Sequence, residues 1–358
     1  MIKKTVILLF VWGISFSAFS QKVIWSGGVH SFFDNVEFGG SKVQIPQTMA
    51  GVHLTPEIGL EWDGKHRVLA GFDVMHEYGS NRVIDYYDPI IYYELDNAPW
   101  RFYMGAFPRS LVLDKYPRMF FQDSIANYRP TLNGLFWEFY SGDNYFNAWL
   151  DWTSRQTRTR HEAFFMGWSG RYNYGIFYGQ HFGYMFHFAG VMEPEIPEGL
   201  HDNGLILTSL GIDLAAKTGF DRLEANVGWS AGLECDRSLG DWHKLHGLLS
   251  EVRIEYRGLG VFNTYYRGGS QQIFYNDHAN ELYWGDPVYR SKEYDRADLY
   301  ISFIKTNVVN IKMTYSLHFT ERMMYHQQML TATFDLDNFR KKKAEQSTYL
   351  WDYLFLKK

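Results

Sequence analysis

From Glu251 to Arg257 the chain reads EVRIEYR, with a charge at every odd position and an apolar residue at every even one. Successive side chains of a β-strand point to opposite faces, so this stretch predicts a strand with one charged and one apolar face. The alternation recurs. From Arg222 to Leu233, Arg222, Glu224, Asn226, Gly228, Ser230 and Gly232 face one way, and Leu223, Ala225, Val227, Trp229, Ala231 and Leu233 the other. From Val309 to Phe319, Val309, Ile311, Met313, Tyr315, Leu317 and Phe319 oppose Asn310, Lys312, Thr314, Ser316 and His318. Each apolar face runs for about ten residues, the length a tilted strand needs to cross a bilayer.

Turn signals divide residues 22–337 into sixteen such segments, at 22–33, 49–62, 66–77, 87–96, 99–107, 133–141, 145–154, 160–169, 172–182, 203–215, 222–234, 246–257, 261–269, 297–305, 308–319 and 326–337. Connections after even-numbered segments are short: DGK at 63–65, NA at 97–98, GDN at 142–144, GR at 170–171, AKTGFD at 216–221, GLG at 258–260 and TN at 306–307. Those after odd-numbered segments include 34–48, 108–132, 183–202 and 270–296, which are long, aromatic and polar. Tight turns on one side and long loops on the other are the pattern of an outer-membrane barrel. The fold class expected is therefore all-β, a transmembrane antiparallel up-and-down β-barrel of about sixteen strands, within a range of fourteen to eighteen.

In a soluble sandwich the apolar faces would fill a core, whereas in a membrane barrel they meet lipid and the polar faces line the lumen. The polar faces carry Glu57, Glu61, Asp73, Glu138, Asp151, Asp213, Arg222, Glu224, Glu251, Arg253, Glu255, Arg257, Lys312 and His318. That load, the number of strands sharing the split, and the chain's start favour the membrane barrel. Lys3 and Lys4, the apolar run 5–19 and Ala18-Phe19-Ser20 form an export signal over residues 1–20.

Composition agrees with alternating strands: aromatic residues make up 18% of the chain, yet the mean hydropathy is -0.31. The net charge of -5 gives no basic footprint for nucleic acid. Cys235 is the sole cysteine, which excludes a disulfide framework and thiolate metal clusters. His243 and His246 in HKLH fall on opposite faces of a strand, so no metal set emerges and no cofactor is expected. The tail 338–358, basic then aromatic, follows the last strand and departs from the simplest barrel ending.

The run YMGAFPRSLVLDKYPRMFFQDSIANYRP, the pair GLFWEFYSG and NAWLDWTSRQTRTR, and the later LYWGDPVYR and MYHQQMLTATFDL resemble an uncharacterised porin-like outer-membrane β-barrel family of Bacteroidetes. The resemblance spans most of the chain after the signal. It implies the fold and a location, the cell outer membrane of a Gram-negative organism; it implies no substrate. A barrel in that location is expected to meet outer-membrane lipid and the barrel-assembly machinery, and whether it forms a homo-oligomer, as trimeric porins do, is left open by the sequence. The architecture also resembles general sixteen-stranded porins, whose third extracellular loop folds into the barrel. Loop 108–132, after the fifth strand, occupies the corresponding place.

That loop carries Arg109, Asp114, Lys115, Arg118, Asp123 and Arg129. Fixed charges of both signs on a narrow aqueous path order polar solutes and filter ions. The candidate constriction is Arg109, Asp114, Lys115, Arg118 and Asp123 with wall residues Glu138, Asp151, Arg222, Glu224, Glu251, Arg253, Glu255, Arg257 and Lys312. Alternatively the loop lies on the outer surface and the wall charges pair across strands. In loop 270–296, Tyr283, Trp284 and Tyr289 offer flat faces to a ligand with Asp286 and Arg290 as polar partners, or else they plug the rim. GWSAG at 228–232 matches a serine-hydrolase elbow, but that motif needs a strand-turn-helix bend and Ser230 sits mid-strand. Ser230 and His318 remain the catalytic candidates of a non-transporting reading, a lipid- or glycan-directed barrel enzyme or surface-binding protein. The leading reading is a channel for small polar solutes or ions constricted by loop 108–132.

Overall fold

The computed structural model describes residues 21–193 and 199–340, so the expected export signal over residues 1–20 and the tail beyond Arg340 lie outside the described residues. Sixteen strands follow in order: β1 (Lys22–Glu37), β2 (Gln47–Trp62), β3 (His66–Glu77), β4 (Tyr86–Asn97), β5 (Trp100–Pro108), β6 (Thr131–Ser141), β7 (Asn144–Ser154) and β8 (Ala163–Tyr174). They continue with β9 (Phe177–Phe188), β10 (His201–Asp213), β11 (Arg222–Asp236), β12 (Asp241–Tyr256), β13 (Leu259–Gly268), β14 (Glu293–Lys305), β15 (Val309–Thr320) and β16 (Met323–Asp337). Each pairs antiparallel with its sequence neighbours, and β1 pairs with β16. The sheet is closed, which leaves no unpaired edge in the hydrocarbon.

Alternation decides which face meets lipid. In β12, Val252, Ile254 and Tyr256 are exposed outward, while Glu251, Arg253 and Glu255 take the lumenal parity. The same outward band includes Trp25, Val29 and Phe33 on β1 and Val227 and Trp229 on β11. Arg257 departs from the expected lumenal set. It sits in the β12–β13 turn with φ 52°, beside Gly258 at φ 80°, and its backbone N–H donates to Asp221 Oδ2 at 2.5 Å. The hairpin needs two consecutive left-handed residues there, which takes Arg257 out of the ladder.

Several boundaries move, two of them by a turn's worth of residues. GR at 170–171 is not a turn: Gly170 pairs with His181 and Arg171 with Gln180, and the chain reverses after Tyr174 at Gly175, whose φ is 62°. Of the two glycines in this stretch, only Gly175 adopts the left-handed conformation a tight reversal requires. β9 then runs on to Phe188, and β10 starts at His201. β12 also begins five residues early, at Asp241, so 235–245 is mostly strand.

Several lumenal rings lie flat over a glycine on the adjoining strand. A Cβ on Gly167 would meet Trp149, one on Gly211 would meet Tyr178, one on Gly247 Tyr266, and one on Gly260 Tyr300, each within 2.3 Å. Rings folded against the wall leave the lumen free for other material. Toward the long-loop end, the extracellular side by the turn-length asymmetry, that material is an aromatic core; toward the short-turn end it is a charged cavity.

Candidate functional site

Loop 108–132 folds into the barrel and reaches across it. Its root is fixed by Arg109, 4% exposed, whose guanidinium pairs with Asp151 on β7 and donates to Arg129 O at 2.6 Å and Thr131 O at 2.5 Å. After a single helical turn at Ser110–Leu113, Lys115 pairs with Glu138 on β6. The Tyr116 hydroxyl lies 2.7 Å from Trp168 O and 3.1 Å from Gly183 O, and accepts from Trp149 Nε1 at 3.0 Å. On the far wall, Arg118 reaches Asp298 on β14 at 3.0 Å and Asp123 receives Arg296 Nη2 at 3.2 Å. The helix Ser124–Tyr128 then returns to β1 and β3, with Asn127 against His30 at 3.1 Å and Tyr128 donating to Glu77 at 2.6 Å. Contacts with β1, β3, β6, β8, β9 and β14 place the segment across the lumen.

Loop 270–296 lies against it. Gln122 N–H donates to Trp284 O at 2.8 Å, and Asp286 N–H donates to Arg118 O at 3.0 Å. Trp284, 2% exposed, packs on Phe165 at 4.9 Å and sits beneath the Arg109 and Arg129 guanidiniums at 4.9 and 4.7 Å. Phe120, Phe121, Tyr184 and Phe186 complete the cluster. On β11, Glu234 accepts from Gln272 N–H at 2.8 Å, Ile273 N–H at 3.0 Å and the Tyr283 hydroxyl at 2.5 Å, which pins the loop to the wall.

Burial shifts the charged groups of these loops. Asp286 caps a 3-10 turn by accepting from Val288 N–H at 3.2 Å, and burial pushes its carboxyl up to about 6. Burial lowers Lys115 against the opposing pull of Glu138. Asp123 goes the other way: burial would raise it, but Arg118 and Arg296 outweigh that and hold it below the usual carboxylate range.

Beneath loop 108–132 is a cavity of about 630 Å³. Among its lining residues are Asp114, Lys115, Arg118, Asp123, Arg222, Glu224, Glu251, Arg253 and Lys312. The remaining expected constriction residues stand differently: Arg109 and Asp151 form the loop root, Glu138 holds Lys115, and Glu255 is bonded to Lys305 at 2.7 Å and Tyr300 at 3.0 Å. The cavity shares Arg171, Arg222 and Glu224 with a second one of about 920 Å³, lined by turn residues Asp143, Asp221, Thr306 and Asn307 at the short-turn mouth.

The residues expected to form a capture surface on the aromatic loop are buried or bonded. Tyr283, Trp284 and Tyr289 are at most 2% exposed and Asp286 is buried, because these residues face the plug and the wall. Arg290 is spent on Val43 O at 2.5 Å and Lys42 O at 3.2 Å. Nor does the barrel bring Ser230 to His318. Ser230 on β11 donates to Gly247 O at 3.1 Å; His318 on β15 bonds the Tyr294 hydroxyl through Nδ1 at 2.7 Å; β12, β13 and β14 separate them.

Arg171, Arg296 and Asp298 are lumenal residues that the sequence reading missed. The signal existed for two of them: EYDRADLY alternates Tyr294, Arg296, Asp298 and Tyr300 against Asp295, Ala297 and Leu299; starting β14 at 297 cut off Arg296 and left Asp298 as an isolated charge near the strand's first residue.

Among solved structures, OmpTdeltaL8, a loop L8 deletion mutant of OmpT, an outer membrane protein of Vibrio cholerae, superposes with TM-score 0.54 at 7% identity, covering 88% of this chain and 100% of its own. OccAB4 of Acinetobacter baumannii superposes with TM-score 0.47 at 8% identity over 89% of this chain and 99% of its own. OpdK of Pseudomonas aeruginosa, solved with vanillate, gives 0.43 at 11% identity over 88% and 99%. At these identities the likeness concerns the fold. No curated protein matches the sequence. The closed barrel and its apolar outer band make the chain an outer-membrane barrel. The model of one family matches residues 21–350, most of the chain, and the protein therefore belongs to the lipid A 3'-O-deacylase-type family.

Proposed function

We propose that this outer-membrane barrel is a porin-like channel for small polar solutes or ions, constricted by loop 108–132 and capped by loop 270–296. The observation that carries the reading is the charged cavity of about 630 Å³ under the inward loop, which shares Arg171, Arg222 and Glu224 with the mouth cavity. A lumen that serves only as scaffold gains nothing from unfilled space lined with charge, whereas a solute path needs fixed charges of both signs at a narrow place. The test is single-channel conductance of the refolded protein in a planar bilayer, beside a variant with residues 111–128 replaced by a short Gly/Ser linker. Conductance that increases when the loop is shortened is expected. No current from either protein, both shown to be folded by heat-modifiable gel mobility, would sink the channel.

A second reading, an acyl-ester hydrolase acting on lipid A, is favoured by the family description and by one feature of the lipid-facing surface. Near the extracellular end of β9, His187 Nδ1 lies 3.1 Å from Asp202 Oδ1, and Asp202 also pairs with Arg237 at 2.6 Å. A histidine oriented by a carboxylate is the base half of an acyl-transfer site. Among the described residues no serine or threonine hydroxyl is hydrogen-bonded to His187, which is why this reading comes second. Mass spectra of lipid A from cells producing the protein decide it: loss of an ester-linked acyl chain that disappears with His187→Ala would put the hydrolase first.

A further inference from the structure

We propose that the cavity beneath loop 108–132 binds small organic anions bearing a carboxylate, held by the guanidiniums of Arg171, Arg222 and Arg253 and the ammonium of Lys312. The inference deepens the channel reading and rests on it for access, but the binding it describes is measurable without transport.

The first observation is a reversal of sign. The whole chain carries -5, whereas the cavity lining holds six Lys and Arg against four Asp and Glu, a difference of +2. The second is how those cations are partnered. Arg171, Arg222 and Arg253 approach one carboxylate, Glu224, at 3.5, 3.6 and 4.0 Å. Further carboxylates are no closer: Asp213 is 3.7 Å from Arg171, and Glu255 is 3.9 Å from Arg222. Glu255 is already engaged by Lys305 at 2.7 Å. Among the described residues no carboxylate lies within ion-pair distance of Lys312, whose ammonium faces the Tyr300 ring at 4.3 Å.

Elsewhere in the lumen the pairing is tight. Arg67 meets Glu61 at 2.8 Å and Glu94 at 2.6 Å, and Arg296 meets Asp298 at 2.6 Å. Three guanidiniums sharing one carboxylate at long range, with Arg171 Nε also donating to Asn173 Oδ1 at 3.0 Å, keep most of their donors free, since each carries five N–H groups. Two of them are also held in place. Arg171 stacks on the Tyr178 ring at 3.8 Å and Arg253 on Phe262 at 4.2 Å. A planar fork fixed against a ring loses little further freedom on binding and matches a carboxylate with two parallel hydrogen bonds. Tyr178 itself lies flat over Gly211, so its ring braces Arg171 without filling the cavity. The arrangement is a preorganised, cation-rich pocket that the protein's own carboxylates do not saturate.

The experiment uses the folded full-length barrel in detergent, with succinate and putrescine as probes of similar length and opposite charge, read by titration calorimetry. Succinate is expected to bind and putrescine not to; Arg253→Gln combined with Lys312→Gln should weaken succinate at least tenfold. Putrescine binding as well as succinate, or the double variant binding succinate unchanged, would overturn the site. Should the double variant fail to show heat-modifiable mobility, Lys312→Met alone carries the test, with a smaller loss expected and no loss overturning the proposal. Reversal potentials across a salt gradient separate the two claims. Succinate binding without current keeps the anion site and removes the channel, while a cation-selective current without succinate binding keeps the channel and removes the site.

Discussion

The two ends of the lumen are built on the same alternating wall yet filled with opposite chemistry. At the long-loop end, Phe120, Phe121, Tyr184, Phe186 and Trp284 form an aromatic core inside a membrane protein. At the short-turn end, Arg171, Arg222, Glu224 and Arg253 line open space. The wall alone does not cause this, because lumenal positions alternate with lipid-facing ones at both ends. Only the long-loop end has chain to spare, and two of its loops carry apolar rings that bury themselves inward; two- to eight-residue turns at the other end leave the wall charges facing water. Burial of apolar surface works in the lumen wherever a loop supplies the surface, even though the barrel exterior faces lipid.

That contrast can be broken from the plugged end. Arg109→Ala should have the largest effect, since it leaves Asp151 buried without its partner and removes a cation from the face of Trp284. A loss of roughly 3–5 kcal/mol is expected, read as a lowered denaturant midpoint and faster proteolysis within residues 109–130. An unchanged midpoint would show that the loop root is not what anchors the plug. Trp284→Ala removes the ring at the centre of the cluster and should cost about 3 kcal/mol. It should also raise conductance if the plug is the barrier, and a conductance equal to that of the native protein would place the barrier lower, among the charges.

A smaller effect is expected from pH. The Asp286 carboxyl is raised to about 6 in the folded protein from an ordinary 3.8, so the folded state binds this proton more tightly than the unfolded one. The contribution is therefore stabilising below about pH 4 and lost as pH rises through about 6, with an amplitude of at most about 3 kcal/mol. Asp286→Asn keeps the oxygen that caps Val288 and removes the titration. The difference in unfolding midpoint between the two proteins should grow from pH 4 to pH 7 in favour of the variant, and a difference constant with pH would refute the assignment. The smallest effect belongs to Ser230→Ala, which loses one hydrogen bond to Gly247 O and about 1 kcal/mol. Conductance should stay the same; abolition of a lipid A acyl loss by this substitution would restore Ser230 as a nucleophile.

Much of the barrel was legible in single strands. In β11 and β15 the alternation shows which residues face lipid, because a period of two is a local property of extended backbone. Boundaries were less legible where two turn signals compete. Gly170 and Gly175 look alike in sequence, and only the register with β9 shows that the first is wall and the second is turn. The cavity residues were named with few omissions, since a charge at lumenal parity is visible in the pattern. Their pairing was not visible: that Glu224 serves three arginines from β8, β11 and β12 depends on register across neighbouring and more distant strands.

The sequence by itself determined the strands, their inward and outward faces, and the end from which long loops emerge, because each follows from periodicity and turn chemistry within a dozen residues. Tertiary structure alone decided that loops 108–132 and 270–296 fold into the lumen rather than over it, and that Tyr283, Trp284 and Tyr289 are core rather than surface. An aromatic loop is compatible with either place. Its choice depends on whether the opposite wall offers Phe165, Phe186 and Glu234 at the right height, which only the closed barrel brings together.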